Sequence, residues 1–381
     1  MTQAQDSDCT QRSDDLHARV QRFIQSVPAS REPFDALALD IARFQADFNP
    51  GYRRLLQAWG SRLDSVDAII PVPADAFRLS RMAVHSADAD AVRYVTSGTT
   101  SSSRGMHAMR RTDTYRTSAI TAARPALLAG APHAAVVALL PSGTTETSSL
   151  AAMAQMFMDE FEPRLPAGTM DDQALSPWLL DAPDVVAALV AHLDRARALD
   201  KPLLVVATTL ALVQLLHLLG DSRLDQWPHV VVMPTGGAKG KAQALDPIAL
   251  RARVMNAFGI AAHQVVGEYG MTELSSQLYE AHPTRKDINL VPGVYYAPAW
   301  LDVCPVDGET LRPVPAGEAG VPTQVRSAVE SYHWSAPQPG SSQTLLRAGR
   351  YPASLVGRNT ELPHAIQRRF HTPIAFGRYA E

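Results

Sequence analysis

Cysteine is scarce: only Cys9 and Cys304 occur among 381 residues. They stand in dissimilar contexts, with neither CxxC spacing nor a matching histidine cluster, which argues against a disulfide framework and a structural zinc site. Long apolar runs are lacking too. No stretch reaches the ~20 apolar residues that a membrane span needs, and the start, MTQAQDSDCTQRSDD, has no apolar stretch behind a basic one. Neither secretion nor membrane insertion is expected, and a cytoplasmic location is. Nor is positive charge in excess. The formal net charge is −3, so no basic field draws nucleic acid. The twelve histidines form no metal-binding spacing. What is present is a chain 46% apolar and 19% charged, which is ordinary for a globular protein and long enough for a main body with subdomains.

Four parts are expected. Residues 1–85 read as a helical N-terminal region packed on the main body, with residues 1–15 frayed and Pro33 and Pro50 as breaks. Residues 86–290 read as an α/β core, 291–320 as a β-rich subdomain and 321–381 as an atypical tail. In the core, short apolar runs alternate with helical stripes, the pattern of mostly parallel sheets flanked by helices. Strands are predicted at 92–95, 134–140, 203–207 and 229–233. Helical faces are predicted at Leu150, Met153, Ala154, Phe157 and Phe161, at Val186, Leu189, Val190 and Leu193, and at Leu212, Leu215, Leu216 and Leu219 before Gly220. Asp246 and Pro247 read as the N-cap and first residue of a helix ending at Phe258 and Gly259.

Three polar segments follow predicted strands, at the edge where open α/β sheets bind ligands. The first is Thr96-Ser97-Gly98-Thr99-Thr100-Ser101-Ser102-Ser103-Arg104-Gly105. Its two glycines allow close backbone approach, and its seven hydroxyls, free N–H groups and Arg104 suit a polyphosphate. It lacks the GK[ST] ending of a Walker A loop, and alone it also reads as a solvated linker. The second is Pro234-Thr235-Gly236-Gly237-Ala238-Lys239-Gly240-Lys241. Here Gly236 and Gly237 would let a flat base lie on the backbone, and Lys239 and Lys241 would meet phosphate or a developing carboxylate charge, although a plain turn has the same look. The third is Gly267-Glu268-Tyr269-Gly270-Met271-Thr272-Glu273. Tyr269 offers a face for adenine, Thr272 a hydroxyl for the α-phosphate, and Glu273 a hard oxygen ligand for magnesium. A Thr-capped helix start is the simpler alternative.

Together the three segments resemble the adenylate-forming superfamily of acyl and aryl ligases, whose patterns are TSGTTGxPKG and YGxTE. Within it the chain is similar to acyl-protein synthetases of the LuxE type, the long-chain-fatty-acid protein ligases, over residues 40–320. Phe48-Asn49-Pro50-Gly51-Tyr52-Arg53, Ile70-Pro71-Val72-Pro73-Ala74-Asp75-Ala76-Phe77-Arg78, the Gly-Gly-Ala-Lys turn and Tyr269-Gly270-Met271-Thr272-Glu273-Leu274-Ser275-Ser276-Gln277-Leu278-Tyr279 carry the likeness. It implies an α/β fold of the adenylate-forming large-domain type, ATP and Mg²⁺ as cofactors, and a carboxylic acid, here fatty acyl, as substrate. Thr96, Ser97, Gly98, Thr99 and Thr100 would hold the β- and γ-phosphates with Arg104. Gly236 and Gly237 would border the adenine, Tyr269 would stack on it, and Gly270 would belong to the ATP site. Thr272, Glu273 and Lys239 would serve the reacting centre, with Glu273 on Mg²⁺. Ser101, Ser103 and Arg104 replace the usual Gly, Pro and Lys.

The acyl acceptor stays open among an acceptor-protein thiol, coenzyme A and an amine, since no cysteine follows Cys304, which reads as structural. The family likeness ends near Gly320. From there the chain holds seven Arg and three Glu but neither Asp nor Lys, so the aspartate expected on the ribose has no counterpart, as after a shifted reading frame or in a diverged tail. Two rivals remain: a nucleotide-binding relative without turnover, and an aryl-CoA ligase of the phenylacetate type.

Overall fold

The protein is described from a computed structural model, in which residues 3–26, 30, 32–73, 76–96, 104–162, 175–224, 226–236, 246–280, 293–306, 319–327, 333–334, 345–348 and 370–377 are described. Helices α1 (Gln3–Gln25), α2 (Glu32–Phe48) and α3 (Pro50–Trp59) come first, then strand β1 (Val72–Pro73), the single turn α4 (Ala76–Leu79) and strands β2 (Val92–Val95) and β3 (Met106–Met109). Helix α5 (Asp113–Leu127), β4 (Ala135–Leu139), α6 (Ser149–Phe161), α7 (Val185–Ala198), β5 (Leu203–Thr208), α8 (Thr209–Leu219), β6 (Val230–Thr235) and α9 (Pro247–Phe258) come next. Strands β7 (Glu268–Gly270), β8 (Gln277–Tyr279), β9 (Val294–Pro298), β10 (Leu301–Val306), β11 (Ala319–Ser327), β12 (His333–Trp334), β13 (Leu345–Ala348) and β14 (Phe370–Gly377) complete the order. The chain forms two compact units. The first comprises residues 1–121, 271–278 and 294–381, the second 122–270 and 279–293.

In the first unit, α1 begins at Gln3, so most of the stretch expected to fray is helical. Its polar surface is tied down by charge: Arg12 reaches Asp47 at 2.8 Å, and Asp14 accepts from Arg110 at 2.5 Å and Arg111 at 2.8 Å. Pro33 and Pro50 open α2 and α3 instead of merely breaking the chain, because a helix's first turn has no use for the missing N–H. Asn49 caps α3, its side chain accepting from Gly51 N at 3.0 Å and Tyr52 N at 3.2 Å. Phe34, Leu37, Ile41 and Phe44 of α2 supply a buried face.

Strand β2 was expected to join a parallel sheet, and here the structure differs. It pairs antiparallel with β3 in a two-stranded hairpin, Tyr94 opposite His107 and Val95 opposite Met106. Ten residues between strands are too few for a parallel return, which takes a dozen or more and usually a helix. The base of the hairpin is held by Asp90, which accepts from Arg81 at 2.5 and 2.9 Å and Arg93 at 2.6 Å and pairs with His85 at 2.8 Å. Burial alone would weaken this acid, but these partners outweigh it and hold the carboxyl at about 2. Further on, β9 pairs antiparallel with β14, β10 with β11, and β13 with β14. Residues 321–381, where the sequence has no visible period, thus carry backbone strands.

The second unit is the βα alternation that the apolar runs predict. Strands β4, β5 and β6 are parallel in one register, Val137 opposite Val205 and Val205 opposite Val232, and Thr235 pairs in parallel with Glu268 of β7. Leu212, Leu215, Leu216 and Leu219 of α8 and Leu189 and Leu193 of α7 pack into a core with Val205, Val232, Val254 and Phe258. Val190, assigned to the same face of α7, is instead exposed. Asp246 caps α9 through Ala249 N at 3.3 Å, Pro247 opens it, and Gly259 ends it at φ 64°, a left-handed conformation that only glycine adopts freely.

Candidate functional site

In the first unit, the ladder of β2 and β3 is extended by Thr96. Its N–H donates to the Gly105 carbonyl at 2.9 Å and its hydroxyl oxygen accepts from Gly105 N at 2.9 Å. A Cβ on Gly105 would lie 3.1 Å from the Thr96 side chain, so any larger residue there would push that side chain by a few tenths of an ångström. Thr96 therefore serves the base of the loop through both its backbone and its side chain. Arg104 is exposed beside it. Ser97, Gly98, Thr99 and Thr100 lie outside the described residues, as do Gly237 and Lys239.

Thr272 and Glu273 belong to the same unit and are half-buried. They sit in a turn closed by Leu274 N donating to Met271 O at 3.0 Å. The Thr272 carbonyl lies 2.8 Å from His107 Nδ1 on β3. A little further along, Ser276 Oγ is 3.1 Å from Trp300 Nε1 and 3.2 Å from Ser118 Oγ of α5, all three residues buried. Between them stands Ser275 at φ 52°, with a buried hydroxyl that has no hydrogen-bond partner among the described residues. Beside this region a cavity of ≈ 80 Å³ is lined by His17, Asn49, Tyr52, Phe77, His107 and Thr114 among others.

In the second unit, Gly236 follows β6 at φ 70°, exposed, and its carbonyl accepts from the Thr209 hydroxyl at the start of α8. Tyr269 was expected in a loop but lies in β7. The pairing of Thr235 with Glu268 sets Gly236 and Tyr269 one residue further on neighbouring parallel strands, at their C-terminal ends. Gly270 is exposed at the end of β7. Glu268 is buried and accepts from the Thr235 hydroxyl. Burial raises its pKa to about 7, the Thr235 hydrogen bond offsetting part of the rise. Glu280 accepts from Gly267 N at 2.8 Å and Gly293 N at 2.6 Å and pairs with Arg251 of α9.

Comparison with protein-family models and with curated proteins gives no match. Solved structures do match. One is 2-hydroxyisobutyryl-CoA ligase in an open conformation, in complex with 2-HIB-AMP and CoA: TM-score 0.56, 17% identity, 86% of this chain and 72% of that one. Another is the same ligase with 2-HIB-AMP and CoA in the thioesterification state: TM-score 0.58, 18% identity, 94% and 70% of the two chains. The chain has the large-domain fold of adenylate-forming enzymes.

Within the second unit, Gly236 and Tyr269 each follow one residue after the paired Thr235 and Glu268; within the first, His107, two residues after Gly105, meets the Thr272 carbonyl. No cluster of three or more His, Cys, Asp or Glu suited to a metal exists among the described residues. Magnesium does not require one: it retains waters and is held by one or two carboxylates together with substrate phosphates, a donor set that Glu273 suits. Among the described residues no helix is long and apolar enough to cross a membrane. Sequence reasoning missed His107, Glu268, Arg251 and the Ser118, Ser276 and Trp300 triad. Only Glu268, inside the third motif, and Ser276, in the stretch after it, had a local signal.

Proposed function

We propose that the protein activates a carboxylic acid with ATP, forming an acyl-adenylate and pyrophosphate, and then passes the acyl group to an acceptor. The observation that supports this reading is the pairing of Thr235 with Glu268, which leaves Gly236 and Tyr269 one residue further along the two chains, on a fold shared with a ligase crystallised with an acyl-AMP. The first unit is assigned the phosphates: Thr96 to Thr100 and Arg104 take the β- and γ-phosphates, Thr272 the α-phosphate. Gly236, Gly237, Tyr269 and Gly270 border the adenine. Lys239 balances charge at the carboxylate, and Glu273 would hold magnesium, which when bound neutralises charge on the phosphate oxygens.

In this reaction a carboxylate oxygen attacks the α-phosphorus, a C–O–P bond forms, and the bond to the pyrophosphate oxygen breaks. No protein nucleophile takes part. The protein holds two anions together and offsets their repulsion with fixed N–H groups and cations, so its contribution is proximity and preorganised electrostatics. The acid is assigned to the fatty-acyl class on the LuxE-type likeness. For the acceptor, coenzyme A gains weight from the CoA bound to 2-hydroxyisobutyryl-CoA ligase, alongside an acceptor-protein thiol, and the reaction is placed in the cytoplasm. The test is ATP–pyrophosphate exchange dependent on fatty or aromatic acids. Glu273→Ala is expected to lower it by about 100-fold or more with the chain still folded. Exchange retained in that variant would overturn the assignment.

A further inference from the structure

We infer that His107 is a positioning residue, one that orients the Thr272–Glu273 peptide against the hairpin bearing the first motif. The inference rests on the proposed adenylation site and extends it to a residue outside all three motifs. His107 lies in β3 opposite Tyr94, two residues beyond Gly105, where the loop closes. It is only 5% exposed, and its ring meets Phe77 edge-on at 5.4 Å and 75°. Its Nδ1 lies 2.8 Å from the Thr272 carbonyl oxygen, 165 residues away in the chain. A carbonyl oxygen has no proton to give, so in this hydrogen bond Nδ1 carries the hydrogen, in the neutral ring or the imidazolium alike.

The atom it holds matters. The Thr272 carbonyl belongs to the peptide plane that joins Thr272 to Glu273, and turning this plane changes ψ of Thr272 and φ of Glu273 together. One hydrogen bond therefore aims two side chains, the one assigned to the α-phosphate and the one assigned to magnesium. Downstream, the chain is pinned independently by Trp300 and Ser118 on Ser276. The His107 contact thus acts on the upstream side of the turn while Ser276 holds the downstream side. Without that contact the fold is retained while the alignment is lost.

Three variants separate this role from simple packing. His107→Asn keeps an N–H donor near the Nδ1 position, His107→Phe keeps the ring without a donor, and His107→Gln moves the donor out toward the Nε2 position. Acid-dependent pyrophosphate exchange is measured with tetradecanoate and with phenylacetate, together with KM for ATP and the thermal midpoint. His107→Phe is expected to lower kcat by about 10- to 100-fold, the range for small misalignment of reacting groups, with KM for ATP changed less than about threefold. His107→Asn is expected to retain most of the rate. If His107→Phe does not fold, the same contrast is read between Asn and Gln. Equal losses in the donor-keeping and donor-lacking variants, or no loss in either, overturn the inference while the adenylation reading stands. A wild-type protein without exchange for any acid overturns both.

Discussion

A carboxyl group enclosed by protein with one hydroxyl beside it is a weaker acid than a solvated glutamate, and through Glu268 that weakness makes stability depend on pH. Its pKa is raised from 4.5 to about 7, chiefly by burial. Between those two values the folded chain binds more protons than the unfolded chain, so the slope of stability against pH is negative there. Stability is greatest below the unfolded value and is lost as pH rises through about 7. At 1.36 kcal/mol per pKa unit the group removes roughly 3 kcal/mol between pH 5 and 8. In Glu268→Gln, which resembles the protonated form, this component is expected to vanish. Urea unfolding of both proteins at several pH values isolates it, and parallel stability profiles would refute it. From the sequence, Glu268 was readable only as a member of the third motif and His107 not at all. A single buried acid or imidazole owes its properties to neighbours such as Thr235 and Thr272, which stand 33 and 165 residues away in the chain.

Helix α9 is tied to the chain on either side of β7 by a buried ion pair. Arg251 donates to Glu280 and to the carbonyls of Val265 and Ala262, and Glu280 accepts from the N–H groups of Gly267 and Gly293. Both side chains are nine-tenths or more buried. A pair enclosed in this way stabilises little compared with an apolar filler, but removing one partner strands the other charge. Arg251→Met is expected to cost roughly 3–5 kcal/mol, and the Arg251→Met, Glu280→Gln double variant less, because no carboxylate is then left uncompensated. Denaturant midpoints check this, and additive losses would refute it. The elements themselves were legible where local chemistry decides them: the leucine stripe of α8, the Asp246 cap, Pro247 and Gly259 of α9, and the apolar runs of β4 to β6. The hairpin of β2 and β3 was not, because four-residue strands have too short a period to reveal whether they pair parallel or antiparallel. The partners of Glu280 were hidden for another reason: ion pairs across a fold leave no spacing to read.

At the scale of the molecule, 17% identity to 2-hydroxyisobutyryl-CoA ligase over 86% of the chain suffices for the same fold, because a fold asks for apolar and polar residues in the right period more than for particular side chains. Activity asks for more, since it resides in a few residues that a fold can keep or lose. Nucleotide binding and turnover are therefore tested apart. A sulfamoyl-adenosine mimic of an acyl-adenylate, present at 100 times its dissociation constant, stabilises the folded state by about 2.7 kcal/mol. For a chain of this length that corresponds to a midpoint rise of roughly 3 °C. The mimic has an adenine but no triphosphate. The rise is thus expected to persist in Glu273→Ala, whose assigned role is the metal on the phosphates. It is expected to shrink in Tyr269→Ala, which loses the flat face assigned to the adenine. Binding of the mimic without pyrophosphate exchange for any acid would favour the relative that keeps the fold without turnover. A midpoint that no mimic moves, or one that moves equally in Tyr269→Ala, would place the adenine elsewhere.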